Sequence, residues 1–319
     1  MVSTNVMRIR AYKYKLVYSI FFVFMLNSND VVASNDCVLL FYPHVAEPYR
    51  TALNEIISGV EHGSKYKIHA LLIEKNMPDI MVKQFADQFP CKMILGLGRW
   101  GLKKALQFPQ HRIAAAVLAM PDENIDAVVL SLVPDPEVVF NKVKQLVPLL
   151  MAVHVVYNPE ETGALIERAK QIAKQQNLVI NAYPANTQKD SIEIYQELFK
   201  KLNPSRDAVW LPNDNSVFSP EILLPLVLKQ SWRYSIAVFS SHPSYVRNGV
   251  LLSVYPDNTK IGHRIAGVLN DCLSVGCKQG QVLLMRNMLV AYNRRTGDRL
   301  RLNIDWSSST LINSVFPVQ

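Results

Sequence analysis

A chain of 319 residues with 49% hydrophobic and 19% charged side chains can build a substantial core, as one large domain or two of medium size, and is too apolar to be disordered. Its formal charge is +8, but Lys and Arg are scattered over the predicted helices, whereas nucleic acid needs them gathered on one face. No nucleic-acid partner is expected. Residues 1–33 read as a cleaved signal peptide. Arg8, Arg10, Lys13 and Lys15 precede an uncharged apolar run from Leu16 to Leu26, and Val31-Val32-Ala33 offers a small-residue cleavage site before Ser34. The run is about half the ~20 residues of a membrane-spanning helix, and Asn35-Asp36 before Cys37 lacks the small and aliphatic residues of a lipobox. A periplasmic, exported chain of formal charge about +5 is therefore expected, since residues 1–33 hold four Lys/Arg and one Asp.

The remaining elements follow in two series. Val38–Tyr42 is strand-like, Pro48–Glu61 amphipathic, Tyr66–Ile73 a strand, Met77–Gln88 a helix, Lys92–Leu97 a strand and Trp100–Leu106 a helix. Arg112–Leu118 and Ala127–Leu132 complete the first series of strands. Short apolar runs separated by helices are the pattern of a parallel sheet covered on both faces. Pro134-Asp135-Pro136 interrupts it. The second series has helices over 137–146, 159–176, 191–202 and 220–231, and strands over 152–157, 178–183, 208–211, 236–239 and 250–254. Two βα series joined at a proline-marked crossover predict two doubly wound α/β lobes. Asn258–Leu273 reads as a helix. Gln281–Asn293 and Leu300–Ile304 read as the strands of a β-hairpin turning at Arg294–Asp298. The predicted division is 34–133 plus 258–319 for one lobe and 134–257 for the other.

Four cysteines in an exported chain suggest disulfides, with three connectivities possible. Cys37 and Cys91 each precede a strand-like run, so parallel neighbours would bring them together. Cys272 and Cys277 would close a small loop. Neither pair has C-x-x-C spacing, and no metal site is expected.

Tyr157-Asn158-Pro159-Glu160, then Asp207-Ala-Val-Trp-Leu-Pro-Asn-Asp-Asn215, then Arg247–Tyr255 with Ile261-Gly262-His-Arg264, resemble in order and spacing the solute-binding components of ABC transporters, among them tryptophan- and phenylalanine-binding members. The likeness covers roughly 134–270. In the first series, His44–Gly59 is similar to the family's first loop and helix. Arg99 and Trp100 replace its usual small residues after Ile94–Gly98, and Ser240-Ser241-His242 stands in place of its Gly-Ser-Asp. The resemblance implies a type I periplasmic-binding fold, a small-molecule ligand such as an amino acid or related metabolite, and a monomer serving an ABC permease.

In open α/β sheets ligands bind beyond the carboxyl ends of the strands, which two facing lobes turn toward one cleft. The candidates there are His44, Glu47, Gly98, Arg99, Trp100, Asn158, Asp214, Asn215, Ser240, Ser241 and His242. Unpaired amides at helix N-termini suit a carboxylate, Asp214 an ammonium, Trp100 a ring or cation, and Arg99 an anion. Plainer roles stay open: Asn158 as a helix cap, Asp214 and Asn215 as a cap or Asx-turn, Trp100 as packing, His44 as a loop residue. No Gly-x-Ser-x-Gly elbow, Walker sequence or H-E-x-x-H is present, and Gly96-x-Gly98 is too short for a dinucleotide fingerprint. The chain is expected to be no enzyme and to need no cofactor. Hinges are expected near 133–136 and 256–260. A periplasmic sensory module for a membrane signalling protein remains an alternative to transport, as does an interaction protein without a ligand.

Overall fold

The computed structural model describes residues 36–47, 49–119, 125–276, 278–302, 304 and 310–317. The expected signal peptide therefore lies outside the described residues. So does Cys277, and with it the expected Cys272–Cys277 bridge.

The first lobe grows from a sheet of six parallel strands in the order β2-β1-β3-β4-β5-β11. These are β1 (Cys37–Pro43), β2 (Lys67–Ile73), β3 (Met93–Leu97), β4 (Arg112–Val117), β5 (Val128–Pro134) and β11 (Val282–Met285). Val38, Leu39, Leu40 and Phe41 are all fully buried, because alternate side chains enter different cores on the two faces of the sheet. Helices α1 (Tyr49–Gly63), α2 (Asp79–Ala86) and α3 (Gly98–Ala105) belong to this lobe.

The second lobe carries a seven-stranded sheet in the order β7-β6-β8-β9-β10-β12-β13. Its strands are β6 (Ala152–Tyr157), β7 (Val179–Pro184), β8 (Asp207–Leu211), β9 (Ala237–Ser240), β10 (Leu252–Pro256), β12 (Met288–Asn293) and β13 (Ser314–Phe316). All neighbours run parallel except β10 and β12. The helices are α4 (Pro136–Leu146), α5 (Pro159–Gln175), α6 (Gln188–Leu198), α7 (Pro220–Tyr234) and α8 (Ser244–Asn248); α9 (Asn258–Ser274) returns to the first lobe, and α10 (Arg294–Arg299) follows β12. Trp210 is wholly buried in β8, edge-on to Phe140 and stacked with Phe239.

The tail departs from its sequence reading. Residues 258–319 do not stay together: α9 and β11 join the first lobe, while β12 and β13 extend the sheet of the second. The expected hairpin is absent because Arg294–Arg299 forms α10 where a turn was expected. Asn293 caps that helix by accepting from Thr296 N at 3.0 Å, and Leu300–Leu302 is not strand. The short α8 and β13 had no clear periodic signal.

Because of that tail, the chain crosses between lobes three times, at Pro134–Pro136, Pro256–Asn258 and Met285–Met288, adding a third crossover to the two hinges expected. Asp135 binds the crossovers together. Its buried carboxylate caps α4 by accepting from Glu137 N at 3.2 Å, receives Arg168 Nη2 of α5 at 3.1 Å, and pairs with Arg286 Nε of the third crossover at 3.3 Å. Arg286 also pairs with Glu137, and Asp257 N donates to Asn287 O at 3.0 Å.

Cys37 and Cys91 are joined at the amino ends of β1 and β3, as the adjacent parallel strands require. Their sulfurs and a ring nitrogen of His69 lie within 4.8 Å of one another, a grouping the sequence reading missed because His69 is on a third strand. None of the described helices is long and apolar enough to cross a membrane.

Two packing predictions follow from this architecture. Helices α1 and α9 touch through Gly59 and Gly262. A Cβ at Gly262 would lie 2.3 Å from Ile56 O, and one at Gly59 would lie 2.6 Å from Thr259 O. Gly262→Ala is expected to cost about 1–3 kcal/mol by forcing the helices apart, read by urea unfolding. Asp135→Asn keeps a cap acceptor but removes the charge facing two arginines. Since Arg286 is largely solvated, a loss of roughly 2 kcal/mol is expected in the same assay.

Candidate functional site

The carboxyl ends of β3, β4 and β5 face those of β6, β8 and β9 across a cavity of about 660 Å³. Its first-lobe wall is Arg99, Leu118, Ala119, Val133 and Pro134. Its second-lobe wall is the first turns of α5 from Pro159 to Leu165, the loop Asn213–Ser216, and Ser241. A larger hollow of about 960 Å³ lies at the opposite ends of the second lobe's strands, beside Ser235 and Ala237 before and within β9, and shares none of this wall.

Four of the expected residues, Arg99, Asp214, Asn215 and Ser241, meet on the cavity. Arg99 reaches it because Gly98 turns the chain from β3 into α3 with φ of +68°, a conformation that favours glycine. The Arg99 guanidinium then crosses the cleft to Glu161, with Nη2 3.0 Å from Oε2. A second bridge has Asn215 Nδ2 3.5 Å from the Tyr49 hydroxyl of α1.

Asp214 is buried, and its carboxylate serves the protein. Oδ2 accepts from Asn158 N at 2.8 Å and from Thr162 Oγ1 at 2.7 Å, while Oδ1 accepts from Ser216 Oγ at 2.5 Å. Asn158 is the cap of α5, its Oδ1 accepting from Glu160 N and Glu161 N at 2.8 and 3.3 Å. Pro159 has no N–H, and Thr162 N donates to Asn158 O at 3.0 Å. The first turn of α5 thus offers a ligand carboxylate no unpaired amide, contrary to the general expectation for a helix N-terminus.

The other candidates stand around the cavity without lining it. His44 is exposed in the loop after β1. Glu47 caps α1, accepting from Arg50 Nε at 2.7 Å and Thr51 Oγ1 at 2.9 Å; the Arg50 hydrogen bond, aided by Thr51, holds its carboxyl below the usual range. Trp100 does not line the cavity; it is exposed, with Lys103 Nζ 5.5 Å from its ring centre. Ser240 Oγ donates to His242 O at 2.9 Å. His242 stacks on Tyr245 with ring centres 4.9 Å apart, and burial lowers its pKa while pushing the Tyr245 phenol up to about 12.

The sequence reading missed Glu160, Glu161 and Thr162. The signal was in hand: a helix capped at Asn158, beginning where β6 ends, must place its first turn on the cleft.

Two lobes, three crossovers and a cleft at the strands' carboxyl ends define a type I periplasmic-binding architecture. Solved structures bear this out. A conserved domain protein from Vibrio cholerae matches with TM-score 0.55 and 19% identity over 88% of this chain and 99% of its own. An ABC domain from Streptococcus pneumonia, solved with L-Trp, gives 0.54 and 17% over 87% and 100%. The ligand-free, open CD0873 of Clostridium difficile, a substrate binding protein with adhesive properties, gives 0.64 and 15% over 89% and 100%. These likenesses establish the fold. No curated protein matches the chain in sequence. The profile of the ABC transporter substrate binding protein family matches residues 120–287, just over half of the chain, and the chain belongs to that family.

Four histidines have pKa values lowered chiefly by burial: His69, His111, His154 and His242. For His154, 3.7 Å from Asp207 Oδ2, burial outweighs the carboxylate's opposing pull. A folded-state value below the unfolded value of about 6.5 means that the unfolded chain binds the proton first, so stability falls as pH drops through that value. The melting temperature is expected to fall between pH 7.5 and 5.5, with a shallower slope in His154→Gln, as scanning calorimetry would show.

Proposed function

We propose that this chain is an exported solute-binding protein that captures an amino acid or related small metabolite between its lobes and presents it to an ABC permease. Its membership of the substrate-binding family supports ligand binding as the activity. The observation that carries the finer reading is the Arg99–Glu161 pair spanning the cavity.

The α5 amides and Asp214 are already satisfied within the protein, so the mobile charges left on the walls are Arg99 on one lobe and Glu160 and Glu161 on the other. A zwitterion placed between them gives its carboxylate to Arg99 and its ammonium to Glu161, exchanging one cross-cleft ion pair for two. Such a ligand binds both lobes at once and therefore favours the closed arrangement over the open one. The crossovers around Asp135 absorb the rotation, as hinges between rigid lobes do. Closure then creates the surface that a permease distinguishes from the empty form.

A thermal-shift screen of zwitterionic amino acids, with neutral sugars as controls, tests this reading. A ligand at about 100 times its Kd stabilises the folded chain by roughly 2.7 kcal/mol. The melting temperature should rise with at least one amino acid and not with the sugars. Arg99→Ala should weaken that ligand by roughly tenfold or more, the worth of one charge-assisted hydrogen bond. No response to any amino acid, or equal binding by the Arg99→Ala form, would reject the proposal.

A further inference from the structure

The pole of the second lobe farthest from the cleft is strongly basic. Four hollows joined by shared walls meet there, one of them running along α7 from Pro220 and Glu221 at the helix's cleft-side start to Trp232 and Arg233 at the pole. Arg299 lines three of them, Trp232 two, and Arg247 with Arg295 another two. Lys229, Arg233, Arg247, Arg295, Arg299 and Arg301 stand exposed on these walls, against Glu221 as the one carboxylate on them among the described residues. The surface is set by topology. The amino ends of β8 and β9 open here, and β12, running antiparallel to β10, delivers α10 with its arginines to the same end.

Three of the guanidinium groups lie over aromatic faces, Arg233 being 5.5 Å from the Tyr234 ring centre. Arg299 lies 5.8 Å from the Trp232 ring centre and donates to Trp232 O at 3.3 Å, and Arg247 lies 5.1 Å from the Phe316 ring centre. This preorganises planar, multi-donor groups suited to phosphate oxygens. Large apolar side chains project beside them. Trp232 is 41% exposed, and Leu149, on the hollow shared with Arg299 and Arg301, is 69% exposed.

We propose that this pole docks on an anionic lipid bilayer. Cations interleaved with projecting aliphatic and indole groups match a bilayer surface, where phosphates lie directly above an apolar layer that Trp and Leu can enter. An acidic protein would complement the charge but leave these projecting groups to find pockets of their own. The cleft lies at the other end of the strands and stays open when this pole is occupied, so the inference is independent of what the cleft binds.

The test is co-sedimentation of the purified protein with vesicles of phosphatidylcholine, with and without 30 mol% phosphatidylglycerol. Residues 1–35 are common to every variant, so any contribution from them cancels in the comparison. Binding is expected only with the anionic lipid, and is expected to be largely lost between 0.05 and 0.5 M salt, as charges on a solvated surface are screened. Each cation at an anionic surface contributes about fivefold in affinity. Arg233→Glu with Arg295→Glu should therefore lower partitioning by more than about tenfold, while Arg99→Glu in the cleft should leave it unchanged. Should the double variant fail to fold by circular dichroism, Lys229→Glu with Trp232→Ala replaces it, with the same loss expected. Equal binding to both vesicles, absence of binding, or unchanged partitioning of the folded pole variant would overturn the proposal. So would binding to poly-glutamate without binding to vesicles, which would assign the pole to an acidic protein.

Discussion

The architecture turns on one buried carboxylate. Asp135 sits where the chain first leaves one lobe for the other, and a charge that deep in the protein is tolerated only with partners. It finds them in Arg168 of the second lobe's α5 and Arg286 of the third crossover. Segments separated by some 150 residues in sequence are thereby tied at one point. A hinge needs its strands to move together, and this ion cluster gives the crossings a common centre while leaving the lobes on either side to pack as separate units.

From that centre the strands run outward, and their direction divides each lobe into two unlike ends. Except for β12 and β13, whose carboxyl ends lie at the far pole, the carboxyl ends face the cleft and carry short polar loops and helix starts. The amino ends face away and carry the Cys37–Cys91 bridge in the first lobe and the arginine-rich pole in the second. The two ends solve different problems. At the cleft, polar groups of the second lobe are mostly committed to one another, with Asn158, Thr162 and Ser216 converging on Asp214. That network fixes the wall and leaves Arg99 and Glu161 as exposed charges facing each other across the cavity. At the far pole Arg233, Arg247, Arg295 and Arg299 stand exposed on open surface.

Much of the fold was legible because parallel sheets leave a strong trace. Runs such as Val38–Phe41 and Ala208–Leu211 are apolar on every residue because both faces of the strand are covered. Asn158-Pro159 marked the start of α5 by the chemistry of caps, and its side chain makes the bonds a cap should make. The tail misled for a local reason: Arg-Arg-Thr-Gly-Asp between two apolar runs is also a turn sequence. Only the Asn293 cap, and the packing of Gly297 against the Tyr292 hydroxyl, make it a helix.

The site was half legible. The rule that ligands gather beyond strand ends led to loops that border the candidate cavity, and Arg99, Asp214, Asn215 and Ser241 line it. It did not say which side chains turn inward, so Trp100 and His44 were grouped with them, whereas Glu161 was left out. By itself the sequence determined the two βα series, the Asn158 cap, the Cys37–Cys91 neighbourhood and the family likeness, all properties of local pattern or order along the chain. Tertiary structure alone decided the third crossover, the commitment of Asp214 to Asn158 and the meeting of Arg99 with Glu161, because each joins residues tens to hundreds of positions apart whose proximity is set by how the lobes close on one another.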